Sequence, residues 1–252
     1  MRSIAWLLAI IVLATSAFAQ QVKLAAAADL QYALKDLSGK FEKDTGIGLQ
    51  VTYGSSGNFA TQIESGAPFD LYLSADVQYP EKLLKDGFAE PGSLYRYAVG
   101  RLVIWVPNGS KIDLSKGLVS LADPAVHKIA IANPQHAPYG RAAMAAFKSA
   151  GIYDQIEYKL VLGENISQTA QFVESGNADA GVIALSLAIS PMMKSRGRYF
   201  EVAKDSYPAI EQAAVIVKAS KQKEASAKFL AYLKSAEARA ILRTYGFSDP
   251  LK

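Results

Sequence analysis

Along the chain, short apolar runs alternate with stretches in which apolar residues return every three or four positions. A run that alternates or is continuously apolar over four to eight residues fits a strand, and a three-to-four spacing fits one face of a helix. The runs at 22–27, 49–53, 71–74, 97–106, 128–132, 160–162, 181–185 and 213–218 read as strands. The clearest helix carries Leu30, Ala33, Leu34, Leu37 and Phe41 on one stripe, with Asp29 as its N-cap and Gly46 as its stop. Further helices are predicted at 59–65, 81–85, 140–149, 166–174 and 221–242. Strand and helix in alternation predict an α/β fold rather than a sandwich or a bundle. No internal repeat or low-complexity linker divides the chain, yet it is too long for one simple sheet. Two lobes connected by strands that pass between them are expected.

The first nineteen residues follow a different logic. Arg2 gives a positive start, 4–14 an apolar core, and Ala17-Phe18-Ala19 a small-x-small end, which is the pattern of an export signal cut after Ala19. Beyond it no apolar run approaches the roughly 20 residues that cross a bilayer. With no cysteine to acylate, an exported chain is retained only by an outer membrane, so the expected location is the periplasm.

Composition narrows the chemistry. The absence of cysteine removes disulfides, thiolate metal sites and cysteine nucleophiles, and two histidines, His127 and His136, leave little for metal clusters or Ser/His/Asp catalysis. The 27 basic and 23 acidic residues give a net charge of +4. The basic residues are scattered, unlike a nucleic-acid footprint, so a mild attraction for anions is all the charge implies. No nucleophile elbow, phosphate-binding glycine loop or H-E-x-x-H is present, and no enzyme activity is expected.

Four strand-to-helix junctions share one character: small or glycine-flanked residues, hydroxyls, and few side-chain cations. They are Ala27-Ala28-Asp29, Gly54-Ser55-Ser56-Gly57-Asn58, Ala137-Pro138-Tyr139-Gly140 and Glu164-Asn165-Ile166-Ser167. Each would place unpaired N–H groups and the positive end of a helix dipole at the carboxyl edge of a sheet. One such junction is an ordinary helix start; four together outline an anion site. His127 and His136 read as surface-loop residues, Arg141 as an exposed arginine, and Met192-Met193 as core filling.

At these junctions the chain resembles the periplasmic molybdate-binding proteins of ABC importers. The stretches that carry the likeness are AAAADLQYAL, VTYGSSGNFATQIESGAPFDLYLSAD, NPQHAPYG and LKSAEARAILRTYGF. The resemblance implies a two-lobed periplasmic-binding-protein fold of the type with two chain crossovers, with the ligand in the interlobe cleft. Expected boundaries are 1–19 for the signal, 20–100 for the first lobe, 101–206 for the second, and 207–252 for the return. It also implies a tetrahedral molybdate or tungstate dianion held by backbone amides and hydroxyls of both lobes. Carried onto this chain, the site residues are Ala28, Asp29, Ser56, Tyr139 and Ile166. No cofactor or bare metal-ion site is implied, and the partner is an inner-membrane ABC permease contacted transiently by a monomer.

Two departures mark the sequence. Asp29 stands where relatives carry a hydroxyl or amide side chain, and Ala184 stands where some place a tyrosine on the ligand. Because a carboxylate repels a dianion, Asp29 is expected to turn away and cap the helix behind it. Rival readings are a receptor for sulfate or phosphate, a serine hydrolase using Ser55 or Ser56, and a scaffold that only contacts other proteins.

Overall fold

The computed structural model describes residues 21–250 and contains two five-stranded sheets. The expected signal and its cut after Ala19 lie outside the described residues. The first sheet begins with β1 (Gln21–Ala27), which leads through a 3-10 turn (Ala28–Leu30) into α1 (Gln31–Thr45). Then follow β2 (Gly48–Gly54), α2 (Ser56–Glu64), β3 (Leu71–Ser74), α3 (Gln78–Lys85) and β4 (Tyr95–Gly100). The chain then enters the second sheet at β5 (Leu102–Pro107), which also holds β6 (Ile129–Ala132), β7 (Leu160–Gly163), β8 (Ala180–Ala184) and β9 (Gly197–Glu201). The helices between these strands are α4 (Pro138–Ser149), α5 (Tyr153–Ile156), α6 (Ile166–Glu174) and α7 (Leu185–Ala188). A second crossing returns the chain to the first sheet as β10 (Ile210–Ile216), and α8 (Lys223–Leu233) and α9 (Ala236–Thr244) complete that lobe.

The strand orders are β2-β1-β3-β10-β4 and β7-β6-β8-β5-β9. In each sheet the first three strands run parallel and the strands next to the crossings run antiparallel to their neighbours. All the parallel strands therefore aim their carboxyl ends at the other lobe, which is the edge where open α/β sheets bind ligands.

Packing follows the period of the sequence. Val22, Leu24 and Ala26 of β1 join Leu34, Leu37 and Phe41 of α1 and Phe229 of α8 in one core, where the Phe41 and Phe229 rings meet edge to face at 5.0 Å. Ala25, from the opposite face of β1, packs with Phe59 of α2, Tyr72 of β3 and Leu83 of α3. A separate core around Trp105 and Phe147 fills the second lobe. Gly46 ends α1 in the left-handed conformation (φ 72°), as its stop signal predicts.

Three features depart from the sequence reading. The run 97–106 is two strands in different sheets, split at Arg101, where the chain crosses between lobes. The stretch 221–242 is two helices, because Ser235 caps a new one by accepting from the Ala238 amide at 3.1 Å. β9 was not anticipated, since GRYFE is exposed along its length and shows no apolar face.

The two crossings are tied to one another. Tyr207 Oη accepts from the Leu102 amide at 3.1 Å, and the Val202 amide donates to the Leu102 carbonyl at 3.0 Å.

Candidate functional site

The four junctions meet. Ala28, Asp29, Ser56, Tyr139 and Ile166 line one cavity together with Ala27, Gly54, Ser55, Ala75, Ala137 and Pro138. Its volume is about 10 Å³, far below the roughly 300–1,000 Å³ of sites for drug-sized ligands. That is the space of about one water-sized sphere, which excludes a sugar or peptide in this closed arrangement. No lysine, arginine or histidine is among the lining residues. Positive potential comes instead from the starts of α2, α4 and α6, whose first-turn amides have no acceptor within their helices. At α6, Asn165 accepts from the Ser167 and Gln168 amides at 3.0 Å each, which leaves the Ile166 amide at the open end.

Ser56 is buried, and its hydroxyl oxygen accepts from the Ala75 amide at 3.0 Å. That bond fixes Oγ as an acceptor on one side and frees its proton to donate on the other. Ser56 is held from behind by Tyr72, which donates to the Ser56 carbonyl at 2.7 Å.

Asp29 does not cap a helix. It lies inside the 3-10 turn, and neither that turn nor α1 has a side-chain cap. Its carboxylate turns inward instead. Oδ2 accepts from the Tyr139 hydroxyl at 2.9 Å, across the cleft, and from Gln212 Nε2 at 2.5 Å. Gln212 in turn accepts from the Tyr97 hydroxyl at 2.8 Å, and Ser186 donates to the Asp29 carbonyl at 2.7 Å. Oδ1 is buried and has no partner. Burial pushes the Asp29 carboxyl up to about 6, against the lowering effect of the Gln212 and Tyr139 bonds.

Gln212, Tyr97 and Ser186 were not singled out from the sequence. Gln212 carries a signal in hindsight, as a lone buried polar residue inside the apolar strand Ile210–Ile216. Ala184, at the end of β8, is fully buried and precedes the helix that brings Ser186 to Asp29.

The lobes are joined across the cleft by many polar contacts. Ser55 Oγ donates to the His136 carbonyl at 2.5 Å, and the Gly57 amide donates to the same oxygen at 2.9 Å. Asn58 donates to Glu164 at 2.6 Å, and Ser167 to Gln31 at 2.9 Å. Arg141 is not a free surface arginine: it reaches across to Asp76 and donates to Tyr79 Oη at 2.9 Å. This is a closed arrangement. Met193 packs in the core as expected, whereas Met192 is exposed.

Ser55, His136 and Glu164 stand in an order suggestive of a hydrolase, with His136 Nδ1 2.9 Å from Ser55 Oγ and Nε2 3.7 Å from Glu164. At 2.5 Å the Ser55 hydroxyl donates to the His136 carbonyl, and its contact with Nδ1 is a second bond whose direction the imidazole tautomer sets. Among the described residues no cluster of three or more His, Asp or Glu could hold a metal ion.

The sequence profile described as bacterial extracellular solute-binding protein matches residues 22–248. The chain belongs to this family. A fellow solute-binding protein, the molybdate-binding protein ModA of Rhodobacter capsulatus, is 40% identical over 235 residues, covering 93% of this chain and 91% of its own. ModA of Azotobacter vinelandii is 39% identical over 93% of this chain and 92% of its own. A solved structure of the A. vinelandii periplasmic molybdate-binding protein superimposes with a TM-score of 0.86 at 35% identity, covering 91% of this chain and all of that one. The sulfate-binding protein SubI of Mycobacterium tuberculosis shares the fold alone, at 15% identity and a TM-score of 0.74 over 91% of this chain and 87% of its own. The two-lobed solute-binding fold with two crossovers is thus shared across these proteins.

Proposed function

We propose that this solute-binding protein captures molybdate, with tungstate as an alternative ligand, between its lobes and hands it to an ABC importer. The observation that carries this reading is the cavity itself. Three helix starts and the Ser56 hydroxyl converge on a space that holds no cation. Such a shell is made of donors, which suit an oxyanion without protons of its own, and its fixed radius selects among anions by size. Ala28, Ser56, Tyr139 and Ile166 would supply amides, and Ser56 a hydroxyl. The likeness to two ModA proteins at 40% and 39% identity supports molybdate over other oxyanions. The chain would act as a monomer in the periplasm after cleavage at Ala19. Its closed face would be read by the membrane permease, and the importer's ATPase would supply the energy.

Asp29 bears on this reading. A carboxylate about 5 Å from a dianion, at an effective dielectric near 20, repels it by about 3 kcal/mol per ligand charge. The bonds of Oδ2 to Tyr139 and Gln212 draw one end of the carboxylate back from the ligand.

Calorimetric titration tests the function. One molybdate per chain is expected, with sulfate and phosphate weaker by at least about 1.4 kcal/mol, or tenfold. Phosphate binding without molybdate binding would replace the reading. A smaller effect is expected at Ser186. Removing its bond to the Asp29 carbonyl with Ser186→Ala takes about 1 kcal/mol from closure, and the same titration should show molybdate bound about fivefold more weakly.

A further inference from the structure

We infer that Asp29 enters the loaded receptor as the neutral acid, with its proton on Oδ1, and serves there as a hydrogen-bond donor that helps specify the anion. The inference rests on the oxyanion reading above and goes beyond it, because it makes capture of the ion also the uptake of a proton.

The geometry assigns the proton to one oxygen. Oδ2 already accepts from two donors, the Tyr139 hydroxyl at 2.9 Å and Gln212 Nε2 at 2.5 Å. A proton on Oδ2 would collide with both. Oδ1 is buried and makes no hydrogen bond of good geometry, with only the Asp29 and Leu30 backbone amides close to the carboxylate, in a residue 1% exposed that lines the cavity. An orphaned acceptor in such a place is costly, and a dianion beside it makes the charged form costlier still. Protonation removes both penalties, since the orphaned acceptor becomes an O–H donor of the kind the rest of the shell provides.

The groups packed around Asp29 offer no positive charge in its place. β4 presents Tyr97 and α4 presents Tyr139, two phenols that burial raises well above their ordinary value and keeps neutral. Tyr72 of β3 lies behind Tyr97, and Tyr207 of the second crossing lies beside Tyr139. β10 presents the amide of Gln212, and α7 the hydroxyl of Ser186. Charged side chains on these elements are engaged elsewhere. Arg141 of α4 pairs with Asp76, and Arg96 of β4 pairs with Glu81 and with Glu211 of β10. Burial, against the lowering effect of its hydrogen bonds, brings the Asp29 carboxyl up to about 6. A bound dianion shifts it upward again, because a neighbouring negative charge disfavours the ionised form.

The sign of the pH dependence follows. A group whose value rises on binding contributes fully below its free value and loses that contribution as pH rises above it. Affinity is therefore level in the acid range and falls above about pH 6 by up to tenfold per pH unit, until the loaded form itself ionises.

The test is titration of the full chain with sodium molybdate from pH 5.5 to 8.5, repeated at pH 8 in buffers of different ionisation enthalpy so that protons taken up per ion are counted. The parent should take up close to one proton per molybdate. Asp29→Asn, which places an amide where the acid stood, should take up none, bind with no slope in pH, and match or exceed the parent at pH 8. One-to-one binding by the parent without proton uptake overturns the inference and leaves the ligand reading standing. Equal uptake by the parent and Asp29→Asn overturns it as well, because the proton then belongs to another group. No molybdate binding at any pH removes the ligand reading and the inference together. Were Asp29→Asn to misfold, Asp29→Ser carries the same comparison, and absence of uptake by the parent still overturns the inference.

Discussion

Gly57→Ala is expected to abolish tight capture while leaving each lobe folded. A Cβ at this position would lie 2.7 Å from Tyr79 Oη, 2.8 Å from the His136 carbonyl oxygen and 3.0 Å from His136 Cα. The tyrosine hydroxyl can swing aside. The His136 backbone belongs to the opposite lobe and can yield only if that lobe retreats. Retreat breaks the bonds from the Gly57 amide and Ser55 Oγ to the His136 carbonyl, each worth about 1 kcal/mol. Overpacking adds about 1–3 kcal/mol. A total near 3 kcal/mol or more corresponds to at least about a 100-fold loss of affinity. Within α2 itself alanine favours the helix more than glycine does, so thermal unfolding should shift little. Titration and a melting curve on the same sample separate the two effects. Undiminished affinity would show that the lobes do not need the contact drawn here to hold their ligand.

Ser56→Ala is expected to weaken molybdate binding by roughly 10- to 150-fold, equivalent to about 1.5–3 kcal/mol for one charge-assisted bond. The hydroxyl is positioned for this role, because its oxygen is anchored by the Ala75 amide and its proton is uncommitted. Ser55→Ala is the control. Ser55 bonds His136 at its carbonyl and at Nδ1 and not the cavity, so its loss should cost only neutral bonds, about 1 kcal/mol in all. Equal losses at the two serines would remove Ser56 from the ligand shell.

Much of this was legible in the chain. The alternation of strand and helix gave the class, and the four junctions gave residues that the fold brings to one cavity, because each junction follows a strand and parallel strands share an edge. What stayed hidden depends on distance along the chain. An aspartate before a helix carries the same local signal whether it caps that helix or not. The partners that draw Asp29 inward, Tyr139 and Gln212, stand 110 and 183 positions away. The run 97–106 reads as one strand for another reason: apolar residues continue on both sides of Arg101, so the period does not mark the passage from one sheet to the other, and a lobe boundary at 100/101 was expected only from the family resemblance. Arg141 looked exposed because its acidic partner, Asp76, belongs to the other lobe.

The tight fit of Gly100 against Tyr139 Oη and Gln212 Nε2 places the Asp29 cluster beside the first crossing, and so beside the pivot of any opening motion. Displacement in a rigid rotation grows with the length of the lever arm. At about 4.8 Å per strand, β2 lies four strands from β4 and β7 three from β5, which puts those edges about 15–20 Å from the pivot. A rotation of about 10° then parts the Asn58–Glu164 contact by about 3 Å yet moves Tyr139 Oη and Gln212 Nε2, packed on Gly100 at the crossing, by less than about 1 Å. The cleft gapes at its far margin, beside β2 and β7, while the contact between Tyr139 and Gln212 at its root stays nearly shut.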